Sequence, residues 1–197
     1  MTDARRALLA GLWDYAGVFP PAELPLEEAR AEWHRIRASD DAWLVNCFVA
    51  RAGQDVGVEP LAVVDGREER QDGVVYREGE TKLRCGGARV PSIDEVAEFI
   101  RRCRDEGSRF KATGGLHHAL PKDGEHGFLN LLAACVFANE EEMLATREIA
   151  LDAESIHANG RSAGADECAR VRRELFASIG SCSIAEPVGE LKALGIL

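Results

Sequence analysis

With 197 residues, 46% of them apolar and 29% charged, the chain is long enough for one sizeable hydrophobic core and short for two, so a single domain over 1–197 is expected. Its net charge of −10 is spread along the whole sequence. Binding to nucleic acid or an anionic membrane needs clustered lysine and arginine, so composition argues against both and for small molecules as partners.

The opening stretch "MTDARRALLAGLWDYAG" carries acids and lacks a long uncharged run, so it reads as neither a signal peptide nor a membrane span, and a cytoplasmic protein is expected. Cysteines at 47, 85, 103, 135, 168 and 182 show no CxxC and no paired spacing. That pattern suits reduced, mainly buried thiols.

After the "FPPAELP" loop, Leu26, Ala29, Trp33 and Ile36 recur at spacings of three and four, which predicts an amphipathic helix over 25–38 with Pro25 near its first turn. "WLVNCFVA" (43–50) and "LAVV" (61–64) read as short buried strands, and "GVVYRE" (73–78) as a weaker one. "TKLRCGG" (81–87) suits a strand ending in a glycine-pair turn. In "PSIDEVAEFIRRCRDEG" (91–107), Ser92 and Glu95 form a capping box and Ile93, Val96, Ile100 and Cys103 an inner stripe, with Gly107 ending the helix. "RFKAT" (109–113) returns as a strand. Strand, helix, strand in this order calls for a parallel sheet with a right-handed crossover.

A helix is predicted over 127–151, apolar nearly all round in its first half and turning to solvent or breaking near Asn139. An amphipathic helix over 165–178 turns Cys168, Val171 and Leu175 inward. A last strand, "IGSCSI" (179–184), leads into a final helix with Pro187 at its start and Val188, Leu191 and Leu194 inward. The class is α/β with a mainly parallel sheet.

In open α/β sheets and barrels, ligands bind beyond the carboxyl ends of the strands, so "KLRCGG", "FKATGGLHH" and "GSCS" are expected to share one rim. Side chains alternate along a strand, which points Lys82 and Arg84 one way and Lys111 and Thr113 one way on theirs. One reading is an anion pocket, with Lys82, Arg84 and Thr113 as substrate contacts and the turns Gly86–Gly87 and Gly114–Gly115 offering backbone N–H groups. A lysine desolvated among other cations has its ammonium form disfavoured, which frees the amine for proton transfer or imine formation. The plain alternative is a surface strand with solvated basic side chains.

His117 and His118 follow the second glycine pair, and His126 opens the next helix. Either one of the pair acts as general acid or base, or His117, His118 and His126, with Cys182, hold a divalent transition metal such as zinc or iron. Loop histidines also commonly bond only to backbone, and no HxH or HExxH spacing marks a metal site. Cys182 would serve as a nucleophile only with a histidine beside it, which the local sequence does not supply. Asp14 and Tyr15 precede an aromatic–proline loop that either plugs a mouth of the sheet or lines a substrate, with packing the default. His34 and His157 look incidental.

Taken together, "DYAGVFPPA", "KLRCGG", "FKATGGLHH", "HGFLNL" and "GSCSIAEPV" make the chain resemble a family of uncharacterised bacterial proteins from near the N-terminus to the last residue. More remotely it is similar to TIM-barrel aldolases of the Schiff-base kind. That resemblance implies a barrel fold with Lys111 in "FKATGG" as the imine-forming residue. The stretch 65–81 is short by the family's pattern, which implies a contracted or incomplete barrel with outer helices. Open sheet edges would need covering, so a homodimer is expected.

Three functions stand open on these residues. First is an enzyme acting on a small anionic metabolite by carbon-acid chemistry, a lyase or isomerase without a cofactor, using Lys111 with His117 or His118. Second is a metal-dependent hydrolase or oxygenase built on the histidines. Third is a non-catalytic barrel that binds a ligand or partner. The first is preferred, because two lysines and an arginine at strand ends need a burial explanation that packing rarely supplies.

Overall fold

The computed structural model describes residues 3–51, 53–64, 69–71, 74–77 and 80–197. Helix α1 (Ala4–Leu9) leads into β1 (Trp13–Tyr15), which is followed by α2 (Leu26–Arg37), a 3-10 turn over Ala42–Leu44, β2 (Val45–Arg51) and β3 (Leu61–Val64). Then come β4 (Glu69–Gln71), β5 (Val74–Arg77), β6 (Glu80–Arg84), α3 (Ile93–Asp105) and β7 (Phe110–Thr113). The rest is α4 (Phe128–Phe137), α5 (Glu140–Ala145), β8 (Ile149–Leu151), β9 (Ser155–Ala158), β10 (Arg161–Gly164), α6 (Ala165–Glu174), β11 (Phe176–Ser181) and α7 (Ala185–Ala193).

The fold is α/β. Six strands run parallel in the main sheet, in the order β3-β2-β1-β11-β7-β6, and the hairpin β5-β4 continues it antiparallel beyond β6. Read around, that order follows the chain. Among the described residues no pairing joins β3 to β4 and no closed barrel is seen. Residues 73 and 78 of the weak strand expected at 73–78, and parts of the short 65–81 stretch, lie outside the described residues. No helix among the described residues is long and apolar enough to cross a membrane.

Local sequence accounts for most of these elements. Ser92 Oγ accepts from the Glu95 N–H (3.2 Å) and Glu95 Oε2 accepts from the Ser92 N–H (2.7 Å), the expected capping box. Helix α4 is buried from Phe128 through Val136, as its apolar run requires. It breaks at Ala138, whose φ of 49° is left-handed, one residue before the predicted Asn139.

The expected continuation to 151 is corrected. Asn130, buried in α4, donates to the carbonyls of Met143 and Thr146 at 2.7 Å each, which ends α5 and turns the chain away. Residues 149–164 then form a second, antiparallel sheet, β8-β9-β10, around an Asn159–Gly160 turn with both φ positive. The last strand begins three residues before its predicted start. Phe176 leaves the helical register to pack edge-on against Phe110, ring centroids 5.0 Å apart.

Candidate active site

The sheet has an apolar and a polar face. On β6 and β7, Lys82 lies opposite Lys111 and Arg84 opposite Thr113, while Leu83 lies opposite Ala112 on the other face. Phe110, Phe176 and Trp13 turn to that other face, where they meet Phe99 and Phe128 of the helices.

Two irregularities in β pairing concentrate polar groups around Asp14. Between Trp13 and Tyr15, β1 spans two steps while β2 spans three, from Val45 to Phe48. The extra residue lets Asn46 and Cys47 both reach Asp14 while Phe48 still packs on Tyr15, centroids 5.5 Å apart. Similarly β11 takes three steps from Phe176 to Ile179 where β7 takes two, which leaves Ser178 on the polar side.

Asp14 is therefore bonded on both oxygens. Oδ1 accepts from Asn46 Nδ2 (2.8 Å) and Cys47 Sγ (3.2 Å), and Oδ2 accepts from Ser178 Oγ (2.7 Å) and from the Lys111 ammonium. Asp14, Lys82 and Lys111 are 2, 5 and 7% exposed. Burial alone would raise the Asp14 carboxyl, but the Lys111 charge and the hydrogen bonds from Lys111, Asn46 and Ser178 outweigh it and hold the group below the ordinary carboxylate value.

These side chains line a cavity of about 470 Å³ together with Arg109 and Arg172. Its other walls are Ala10 and Gly11 just before β1, Val49 of β2, Ala62 of β3, and Ala177 near the start of β11. Apart from Val49, the described lining lies toward the amino ends of these strands, opposite to the rim that the sequence suggested. Arg172 is fixed there: Nη1 donates to the carbonyls of Phe176 (3.2 Å) and Ala177 (2.5 Å), and Nη2 to those of Ala10 and Gly11 (3.1 Å each). Burial and the nearby Arg109 charge push Arg172 down to about 10, still far enough above neutrality to leave it protonated.

The carboxyl ends are occupied differently. A Cβ on Gly86 would lie 2.6 Å from Gly115 Cα, and one on Gly115 would lie 2.7 Å from the Cys85 carbonyl oxygen. Here the glycine pairs serve a backbone-to-backbone contact between the ends of β6 and β7. Arg84 is exposed and folds back, Nε donating to the Gly86 carbonyl at 3.1 Å beside Gly87. Gly114 packs on Gly86 in the same contact. The loop 16–24 is bonded over β1 and β11 through the Ala16 N–H to the Ser181 carbonyl (2.7 Å), and Arg51 holds it by a bond to the Val18 carbonyl (3.0 Å). The aromatic–proline loop is thus tied to the carboxyl ends of β1, β2 and β11.

The histidines go to three different partners. His117 Nδ1 lies 2.8 Å from Glu186 Oε2, a close contact without hydrogen-bond alignment, and His118 Nδ1 lies 3.1 Å from Glu190 Oε1, both on α7. The His118 hydrogen bond holds the Glu190 carboxyl below its usual value. His126 Nε2 donates to the Pro91 carbonyl at 2.8 Å. None of the three lines the lysine cavity. Cys182 is half-buried after β11, and burial raises its thiol. Among the described residues no group of three or more His, Cys, Asp or Glu side chains is placed to hold a metal ion.

Of the residues expected from sequence, Lys82 and Lys111 line this cavity, and the groups that surround them were not expected there. Asp14 was read as packing, and Asn46, Cys47, Arg109, Arg172 and Ser178 were not singled out. A polar residue inside an apolar strand run, as Asn46 is in "WLVNCFVA", was the available signal for one of them. No protein-family model, curated protein or solved structure matches this chain.

Proposed function

We propose that the protein is an enzyme acting on a small anionic carbonyl compound by carbon-acid chemistry, a lyase or isomerase, with Lys111 as its working amine. The observation that carries this reading is the buried Lys111–Asp14 pair, set in a cation-lined cavity with Asp14 gripped by donors from both neighbouring strands. A buried ion pair adds little stability over apolar packing, so its elaborate support is better accounted for by chemistry.

In this reading Lys111 passes a proton to Asp14 Oδ2 along their existing hydrogen bond, and the freed amine adds to the substrate carbonyl carbon. Asp14 returns that proton to the hydroxyl that leaves as water, and the resulting iminium ion accepts the electron pair when an adjacent C–H bond breaks, its proton passing to the Asp14 carboxylate, or when an adjacent C–C bond breaks. Asp14 holds and returns the proton, a role that passes to it from His117 and His118 because neither lines the cavity. Lys82, opposite Lys111 on β6, attracts the anion. The finer fold reading that goes with this is a contracted barrel, since the strand order runs around in chain order and only a β3–β4 contact is needed to complete it. A homodimer covering those two strands is the alternative closure, and light scattering distinguishes the two.

Borohydride reduction in the presence of small keto acids and aldehydes is the direct test. A stable adduct mapped by mass spectrometry to Lys111, and absent from a folded Lys111→Met variant, is expected. Undiminished trapping in Lys111→Met overturns the lysine's role.

A further inference from the structure

The cavity has a second chemical end, and Arg109 and Arg172 mark it. Both lie on the amino side of their strands, Arg109 immediately before β7 and Arg172 in the last turn of α6 before β11. Among the described residues their hydrogen bonds go to backbone carbonyls alone, and neither makes an ion pair. Among the described lining residues the one acid, Asp14, is bonded to Lys111. In a chain of net charge −10, two arginines side by side at a cavity mouth are not what composition alone produces.

The two guanidiniums differ in what they offer. All four Nη hydrogens of Arg172 are committed to the carbonyls of Ala10, Gly11, Phe176 and Ala177, so it supplies a fixed charge with little donor capacity. Arg109 is exposed and bonds through Nη2 to the Arg172 carbonyl at 3.2 Å, which leaves donors for an incoming anion. One fork satisfies a carboxylate, whereas two adjacent positive charges with one available fork match a dianion with three peripheral oxygens.

We infer that the ligand of this cavity is a phosphate monoester of a small carbonyl compound, with the phosphate held at Arg109 and Arg172 and the carbonyl directed to Lys111. This rests on the reading of the cavity as the substrate site. The volume of about 470 Å³ suits a compound of that size.

Calorimetric titration in low-chloride buffer tests it with three probes: inorganic phosphate, acetate and glycolaldehyde phosphate. Phosphate is expected to bind more tightly than acetate, to weaken roughly tenfold in Arg109→Gln, and to persist in Lys111→Met. Glycolaldehyde phosphate should bind more tightly than phosphate, and that advantage should disappear in Lys111→Met. Arg109→Gln is chosen because the side chain is exposed, and circular dichroism confirms its fold. Phosphate binding no tighter than acetate binding, or unchanged in Arg109→Gln, overturns the inference. Equal affinity for phosphate and its ester overturns the ester. Borohydride trapping of unphosphorylated keto acids without phosphate binding defeats this inference and leaves the amine reading standing. Phosphate binding without any trapping does the reverse, removing the carbonyl half.

Discussion

At the amino ends of β1, β7 and β11 the chain gathers charged and polar side chains, whereas at the carboxyl ends of β6 and β7 it brings backbone against backbone. The amino-side cavity is held by partners that can exchange protons. The carboxyl side is held by steric fit, with Gly86 against Gly115 and a loop bonded over β1 and β11. Glycine and histidine, the residues that draw attention in "FKATGGLHH", therefore belong to the closed end. The plainer residues Asp14, Asn46 and Ser178 belong to the open one.

The difference can be broken most forcefully at Asp14. Asp14→Ala strands the buried Lys111 ammonium and removes the acceptor of Ser178 and Asn46, so urea unfolding should show a loss of about 3–5 kcal/mol. The double replacement Asp14→Leu with Lys111→Met removes both charges and should lose less than Asp14→Ala alone; an equal or larger loss would mean that the pair is not the interaction that matters.

Next in size is the glycine contact. Gly115 and Gly124 both have positive φ, but only Gly115 has backbone within van der Waals range of an added Cβ. Gly115→Ala should cost about 2–4 kcal/mol and Gly124→Ala about 1 kcal/mol. Similar costs at both would show that conformation rather than contact dominates at the carboxyl end.

A third effect follows from pH. The folded-state pKa of Asp14 is depressed, so between it and the ordinary carboxylate value the unfolded chain binds more protons. The stability from Asp14 is fully present above the unfolded value and is lost as pH falls through the lowered one. Acid titration of unfolding should therefore be shallower in Asp14→Asn than in the wild type, and parallel curves would remove Asp14 from the balance.

Smallest is the thiol pattern. Cys182 is half-buried, whereas the other five cysteines are buried and burial pushes Cys85 up to about 12. An aromatic disulfide reagent should titrate one thiol quickly in the folded protein and the rest only on unfolding. Rapid reaction of Cys47 would show that the cavity opens more widely than its walls suggest.

Much of the framework was legible because it is written in local signals. Ser92 and Glu95 cap α3, the apolar run at 128–136 is buried, and alternation set Lys82 and Lys111 on one face. What escaped was carried by tertiary context. "WDY" is too short to show a strand period, so β1 was not predicted and its aspartate was left as packing. The two pairing irregularities that turn Asn46, Cys47 and Ser178 toward Asp14 depend on neighbours far along the chain. One signal was present but unread: Asn159–Gly160, in a stretch between the two predicted helices to which no element was assigned, is the hairpin turn between β9 and β10. The preference for carboxyl-end ligand sites is a regularity of whole folds, and here the tied-down loop 16–24 and the glycine contact oppose it.

The position of β1 also bears on synthesis. It lies between β2 and β11, so one of its edges has no partner until residue 181 has left the ribosome, and its pairing with β11 spans most of the chain. Such long-range closure slows folding. Lys111 and Asp14 are translated early, yet Ser178 and the staple at Arg172 arrive late. A nascent chain stalled before β11 should hold the lysine and the aspartate without a competent pocket, which delays any reactive amine until the fold is closed.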